Sequence, residues 1–334
     1  MLRIHFSAED LLRIRVQAEP NVMWEVLLSL HMVQTGYDGR VFGPWRRAVR
    51  SRLAPSVGLL RTLARPRGYS PDFLTPSADV ADLDTGLELV MSTSRTRLRA
   101  DIASLADQVA LPTWVSGVAD GEPETMRRLR DALRAYHAEA LEPYWPSIRR
   151  YVRADQKKRV EAVMGNGFES LFDSFYPIMR WRAPVLEVVY PIEWDLHLEG
   201  RGLTLVPSFF CWPGPITLAN QSGPPVLVYP VQKGPAQPLV AETERTRERS
   251  LRSLVALMGQ TRAEVLREIA ERNHVNTTEL AQTLGISLAG ASQHAAVLRN
   301  AGLVTTARHR GSALHKVSNH GAALLHSAAS PVGH

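Results

Sequence analysis

Three scarcities narrow what this chain can be. Its 334 residues include one cysteine, Cys211, which excludes a disulfide framework and any multi-cysteine metal site. Set within Phe209-Phe210-Cys211-Trp212, that thiol reads as buried and inert. No stretch approaches the roughly 18 unbroken apolar residues of a membrane helix. Met1 to Leu12 lacks the basic-then-apolar order of a signal peptide, so a cytoplasmic protein with no membrane partner is expected. Catalytic signatures are missing too: there is no phosphate-binding glycine loop, no His-Glu-x-x-His and no Gly-x-Ser-x-Gly. On these grounds neither an enzyme nor a cofactor is expected. What is present, 45% apolar and 22% charged residues, is an ordinary globular composition, long enough for about two domains.

Charge is unevenly spread. The net charge is +6, and residues 245–334 hold 11 Lys+Arg against 5 Asp+Glu. The excess of positive charge therefore sits in the last quarter, and the first 244 residues are balanced. Such asymmetry points to a polyanion partner for the tail domain.

The strongest boundary is the stretch 231–244, where two prolines and a glycine separate β-like sequence from a long helical pattern. The expected organisation is an α+β domain over 1–230, a linker over 231–244, a second domain over 245–328 and a tail over 329–334. Within the first domain, Leu2 to Phe6 alternates like a short strand. Helices are expected over Asn21–Met32, Asp82–Leu105, Pro123–Val152 (kinked at Pro143 and Pro146) and Asp155–Met164, ending at Gly165. From Val185 the period becomes strand-like: Val185–Tyr190, Glu193–Glu199, Gly202–Cys211 and Pro225–Val231. Short connections predict one small antiparallel sheet, with a tight turn at Glu199-Gly200-Arg201-Gly202.

The last quarter is more specific. Helices are expected over Thr246–Met258 and Arg262–Arg272. A third starts at Thr277 or Thr278, capped by Asn276 or Thr277, with Glu279 in its first turn and a stop at Gly285. Ser287 caps a fourth, Leu288–Ala301, which stops at Gly302. Small residues at Ala281 and Gly285 let the two helices turn sharply into each other, with Leu280, Leu284 and Ile286 as the wedge: helix-turn-helix geometry. In the fourth helix, Leu288, Ala291, Ala295 and Leu298 form the inward stripe. Ala289, Gly290, Ser292, Gln293 and Ala296 face out, with little bulk and no charge, so this face could enter a DNA major groove closely. Leu303–Arg308 and Ala313–Val317 are strand-like around a basic turn, His309-Arg310-Gly311-Ser312, which describes a wing. Asn319–Ala328 would be a closing helix and a dimer element.

These residues resemble the ArsR family of winged-helix regulators over 250–328. The resemblance rests on Glu279-Leu-Ala-x-x-Leu-Gly-Ile-Ser287, Ser292-Gln-His-x-x-Val-Leu-Arg-x-Ala-Gly-Leu-Val304 and Arg308-His-Arg-Gly311. The region ahead also resembles the domain that precedes this module in actinobacterial regulators, through Gly68-Tyr-Ser-Pro-Asp-Phe-Leu-Thr-Pro76, Pro143-Tyr-Trp-Pro146 and Gly200 to Trp212. The resemblance implies a homodimer on double-stranded DNA at an inverted repeat, repressing until a small-molecule effector binds. Many relatives sense metals through cysteines on the third helix or acidic and histidine pairs on the last. Here Thr278-Glu-Leu-Ala281 has no cysteine, and His320 and His326 stand six apart, off one helical face. No metal is expected.

The DNA-contact candidates are Thr277, Thr278, Ser287, Ala289, Gly290, Ser292, Gln293, His294, Arg299, Arg308, His309 and Arg310. Gln293 can pair with adenine in a bidentate way. The wing residues suit phosphate or the minor groove. Thr277, Thr278 and Ser287 could donate to phosphate or simply cap their helices, His294 could be packed, and Arg299 could complement a helix dipole. In the first domain, Trp181, Arg182, Trp194, Phe210 and Trp212 are candidates for an apolar effector pocket; aromatics on strands are also ordinary core. Asp195 and His197 share a strand face, which could be acid-base equipment or a solvated face. The rival reading of the whole chain is an enzyme or protein-interaction module with an accessory winged helix.

Overall fold

The computed structural model describes residues 1–76, 79–218, 224–233, 239, 241, 244–272, 275–309 and 312–329. It consists of two compact units, Met1–Ala241 and Glu242–His334. The division falls inside the expected linker, and Val231 and Leu239 are buried in the first unit's core.

The first unit opens with β1 (Leu2–His5), α1 (Ala8–Leu12) and β2 (Arg15–Val16). A helical stretch follows: α2 (Val22–Gln34), α3 (Gly39–Arg50), α4 (Gly58–Leu63), α5 (Leu83–Met91), α6 (Arg95–Ala106), α7 (Val115–Ala119), α8 (Pro123–Ala140) and α9 (Trp145–Asp173). Strands then return: β3 (Met179–Arg182), β4 (Val185–Val188), β5 (Trp194–His197), β6 (Thr204–Ser208), β7 (Ile216–Thr217) and β8 (Val226–Pro230).

Helix α2 is buried on nearly every side from Val22 to Val33, as a central helix must be. Its start is fixed by Asn21, whose side chain accepts from the backbone N–H of Met23 and Trp24. Several helix boundaries differ from expectation: Val152 and Asp155, expected to end one helix and start the next, lie inside a single helix, α9. Asp82–Leu105 is two helices, because Ser94 caps a new start by accepting from the Arg97 N–H. Gly165 stops nothing: α9 runs on to Asp173. The expected break near Pro143 is a 3-10 turn, Glu142–Tyr144, between α8 and α9.

The expected single antiparallel sheet is two four-stranded mixed sheets, ordered β3-β4-β1-β5 and β2-β6-β8-β7. β1 pairs in parallel with β5, and β6 pairs in parallel with both β2 and β8. The short-connection argument fails twice: β1 and β2, separated from the later strands by the helical stretch, each join one sheet, and β6 pairs in parallel with β8 because β7, between them in sequence, lies on the far side of β8. The Glu199–Gly202 turn is not a hairpin; it passes from the first sheet to the second. Its backbone runs through positive φ at Glu199, Gly200 and Gly202 (54°, 80° and 73°). A Cβ at Gly202 would stand 2.5 Å from the Arg13 carbonyl oxygen, so glycine is required there twice over.

The second unit contains α10 (Glu244–Met258), α11 (Gln260–Arg272), β9 (Val275–Asn276), α12 (Thr277–Leu284), α13 (Leu288–Asn300), β10 (Val304–His309), β11 (Ser312–Val317) and α14 (Asn319–Ala329). Val265, Leu266, Ile269, Leu280, Ala291 and Leu298 make its core. β10 and β11 form the expected antiparallel hairpin. The two-residue β9, absent from the sequence reading, adds a third strand on β11.

Helix α14 packs onto this core through Gly321. A Cβ at that position would overlap the Leu303 carbonyl oxygen and lie 2.8 Å from Val317 Cγ2. Gly321→Ala is therefore expected to destabilise the second unit by about 1–3 kcal/mol, as an overpacked site does. Thermal melting of the variant checks this, and an unchanged melting temperature would contradict the packing.

Candidate nucleic-acid interface

The turn between α12 and α13 is built from local hydrogen bonds. Asn276 accepts from the Glu279 N–H at 2.9 Å, and the Glu279 carboxylate accepts from the Asn276 N–H at 2.9 Å. This reciprocal box fixes where α12 starts. Gly285 ends it in the left-handed region, φ 63°, which costs glycine no Cβ clash. The Ile286 N–H then donates back to the Ala281 carbonyl. At the next residue, Ser287 Oγ accepts from the Gly290 N–H at 3.0 Å and starts α13.

Ala291, Ala295 and Leu298 face the core as expected. Leu288 does not: it is 55% exposed, because it occupies the first turn, beyond the edge of the buried stripe. The exposed side of α13 carries Ala289, Ser292, Gln293 and Arg299, with Gly290, His294 and Ala296 half-buried beside them. A helix face of small side chains, one amide and one terminal arginine can approach a DNA groove closely, and Gln293 offers the donor–acceptor pair that reads adenine.

Thr278 is exposed at the start of α12. Thr277 is half-buried beside it, and its hydroxyl pairs with His315 Nε2 at 3.0 Å. Ser287 performs the capping role described above and is exposed. Arg308 and His309 lie at the end of β10, where His309 pairs in register with Ser312, and Arg310 lies outside the described residues.

His315 is the residue that sequence reasoning missed. It sits buried on β11, with Nδ1 paired to Thr306 Oγ1 at 2.9 Å. It thus links α12, β10 and β11 beneath the helix-turn-helix. Its partners are 9 and 38 residues away in sequence, so no local pattern signals them. Burial, with a smaller contribution from Arg299, lowers the His315 pKa below its ordinary 6.5. The unfolded chain then binds the proton more readily, so this contribution to stability is complete above pH 6.5 and is lost as pH falls toward the folded pKa. Relative to His315→Gln, the wild-type second unit is expected to lose stability between pH 7.5 and pH 5; parallel denaturation curves for the two proteins would refute the buried, neutral imidazole.

The five candidates for an effector pocket do not come together. Trp181 on β3 stacks on Phe172 (4.7 Å) and meets Phe6 edge-on (5.4 Å). Trp194 on β5 packs with it against the core of the first sheet. Arg182 is exposed, 3.4 Å from Glu187. Phe210 belongs to the other, helical core, against Phe42 and Trp45, and Trp212 is 39% exposed. A cavity of about 330 Å³ lies elsewhere, lined by residues including Phe73, Leu89, Thr93 and Arg97. Asp195 and His197 lie on an exposed face, where Asp195 pairs with Arg3 at 2.9 Å and His5 at 2.7 Å. Those two hydrogen bonds, Arg3 first, hold the Asp195 carboxyl well below the usual carboxylate range.

Cys211 is buried, its thiol pushed far up by burial. Glu25 on α2, also buried, accepts from Ser208 Oγ and from the N–H groups of Phe209 and Phe210. Burial raises its carboxyl to about 7 despite those bonds. No group of three or more His, Cys, Asp or Glu among the described residues could hold a metal ion, and no described helix is long and apolar enough to cross a membrane.

Residues 259–306 match the family model for the bacterial regulatory protein, arsR family. That span runs from the end of α10 through the helix-turn-helix into β10. No curated protein and no solved structure matches the chain. Residues 259–306, within the second unit, are thus an ArsR-family regulatory domain that follows the α+β unit in the sequence.

Proposed function

We propose that this protein is a DNA-binding transcription regulator acting as a homodimeric repressor in the cytoplasm, not as an enzyme. The observation that carries the reading is the exposed, sparsely filled face of α13, held by caps at Ser287 and Gly285 inside an ArsR-family domain. In a two-fold dimer, two such helices lie about one DNA turn apart and read an inverted repeat. Basic residues of the second unit supply salt-dependent phosphate affinity, while Ser292 and Gln293 select bases. Helix α14 is the dimer element and the first unit receives a small-molecule effector. An effector releases the DNA only if it binds the two conformations differently.

Selection of bound duplexes from a random library, with the purified full-length protein, tests this reading. The expected product is an inverted repeat bound by two chains, with mass measured by light scattering. Recovery of unrelated sequences, with no common half-site, would overturn it.

A further inference from the structure

The end of the first unit holds a lysine in an unusual place. Lys233 follows β8, and its ammonium lies over three aromatic rings: Phe42 at 4.9 Å, Phe209 at 5.2 Å and Trp212 at 5.3 Å from the ring centroids. All three distances fall within the range of cation–π attraction. Nζ is buried and makes no hydrogen bond. A buried ammonium normally finds acceptors for its three N–H groups; this one is held by ring faces and charge alone. Burial lowers its pKa to about 8, against the opposing pull of Cys211, then Glu25 and Asp38. At neutral pH it stays mostly protonated.

We propose that Phe42, Phe209 and Trp212 form a binding site for a quaternary ammonium ligand, which Lys233 fills in the free protein. The ligand class follows from what the site does and does not use. It attracts positive charge through ring faces, and it offers no hydrogen-bond acceptor to Nζ. A quaternary ammonium has the charge and lacks the N–H groups, so it loses nothing that the lysine gains there. An anionic ligand is disfavoured, because the walls are negative ring faces and the groups that interact electrostatically with the lysine there, Cys211, Glu25 and Asp38, are all acidic. Phe42 and Phe209 are buried walls on α3 and after β6, whereas Trp212, 39% exposed, is the rim through which a ligand enters. The lysine is a tethered competitor, present at an effective concentration on the millimolar scale. As the effector of the regulation proposed above, such a ligand rests on that reading; its binding does not, and the test needs no DNA.

Choline is the probe, and 3,3-dimethyl-1-butanol, its neutral isostere, is the control. In calorimetric titrations of the full-length protein, Lys233→Ala is expected to bind choline at least about tenfold more tightly than wild type does, and at least about tenfold more tightly than it binds the isostere. Adding Trp212→Leu to Lys233→Ala should remove most of that affinity. A parallel arm uses only the wild-type protein: saturating choline should expose Lys233 and raise its rate of acetylation by acetic anhydride several-fold, read by mass spectrometry. Equal affinity for choline and the isostere, or no choline binding by a folded Lys233→Ala protein, overturns the proposal. Should Lys233→Ala fail to fold, an acetylation rate of Lys233 unchanged by choline does the same.

Discussion

Asp155→Ala is expected to destabilise the first unit by about 3–5 kcal/mol, the cost of leaving a buried charge without its partner. Asp155 and Arg159 are one turn apart on α9, and their side chains are 1% and 2% exposed. The Asp155 carboxylate accepts from Arg159 Nη2 at 2.8 Å and Nε at 3.2 Å, and from the Tyr229 hydroxyl on β8 at 2.9 Å. Arg159 also donates to the hydroxyl and carbonyl of Ser174 and lies 4.1 Å over the Phe175 ring. One ion pair thus joins the middle of α9, the turn after it and a central strand of the second sheet. Removing the carboxylate leaves the guanidinium and the Tyr229 hydroxyl short of their acceptor. Asp155→Ala combined with Arg159→Met should cost less than Asp155→Ala alone, since no charge is then stranded. Denaturant unfolding of the three proteins checks both statements; a loss under about 1 kcal/mol in the single variant would mean the pair is effectively solvated.

Gln293→Ala is expected to weaken binding to the selected DNA site by about 1–3 kcal/mol, roughly 5- to 150-fold, with little effect on scrambled DNA. The amide is exposed on α13, and its removal leaves the fold's core untouched. The comparison that gives the result meaning is Arg308→Glu with Arg310→Glu. Those changes act on phosphate attraction, so they should weaken binding to every sequence alike and flatten its salt dependence. Titrations of both variants on both duplexes separate base reading from phosphate attraction. Equal loss on selected and scrambled DNA in Gln293→Ala would remove the glutamine from base recognition.

The second unit was legible because what builds it is local. The Asn276–Glu279 box, the left-handed Gly285 and the Ser287 cap each act within three or four residues, so residue type and spacing announce them. The same locality hid His315, whose partners Thr277 and Thr306 come from two other elements. It also hid β9, too short to show a period. In the first unit the α+β character could be read from the change of period near Val185, but not the pairing. β1 lies between β4 and β5, 180 or more residues away in sequence, and β2 lies beside β6. Nothing local reports a parallel partner at that distance. The aromatic residues fail for a related reason: Trp181 and Phe210 look alike in sequence, yet they pack into different cores. Asp155 and Arg159 stand four apart on a helix, and nothing in that spacing reports Tyr229 or Phe175, which come from other parts of the chain.

The central claim is that the second unit reads DNA sequence through α13. Its most direct test is the affinity of the full-length protein for the selected duplex and for a scrambled one, measured by fluorescence anisotropy from about 50 to about 200 mM salt. The account predicts affinity that falls steeply with salt on both duplexes, with the selected one bound at least about a thousandfold more tightly. Equal affinity for the two at every salt concentration would contradict it.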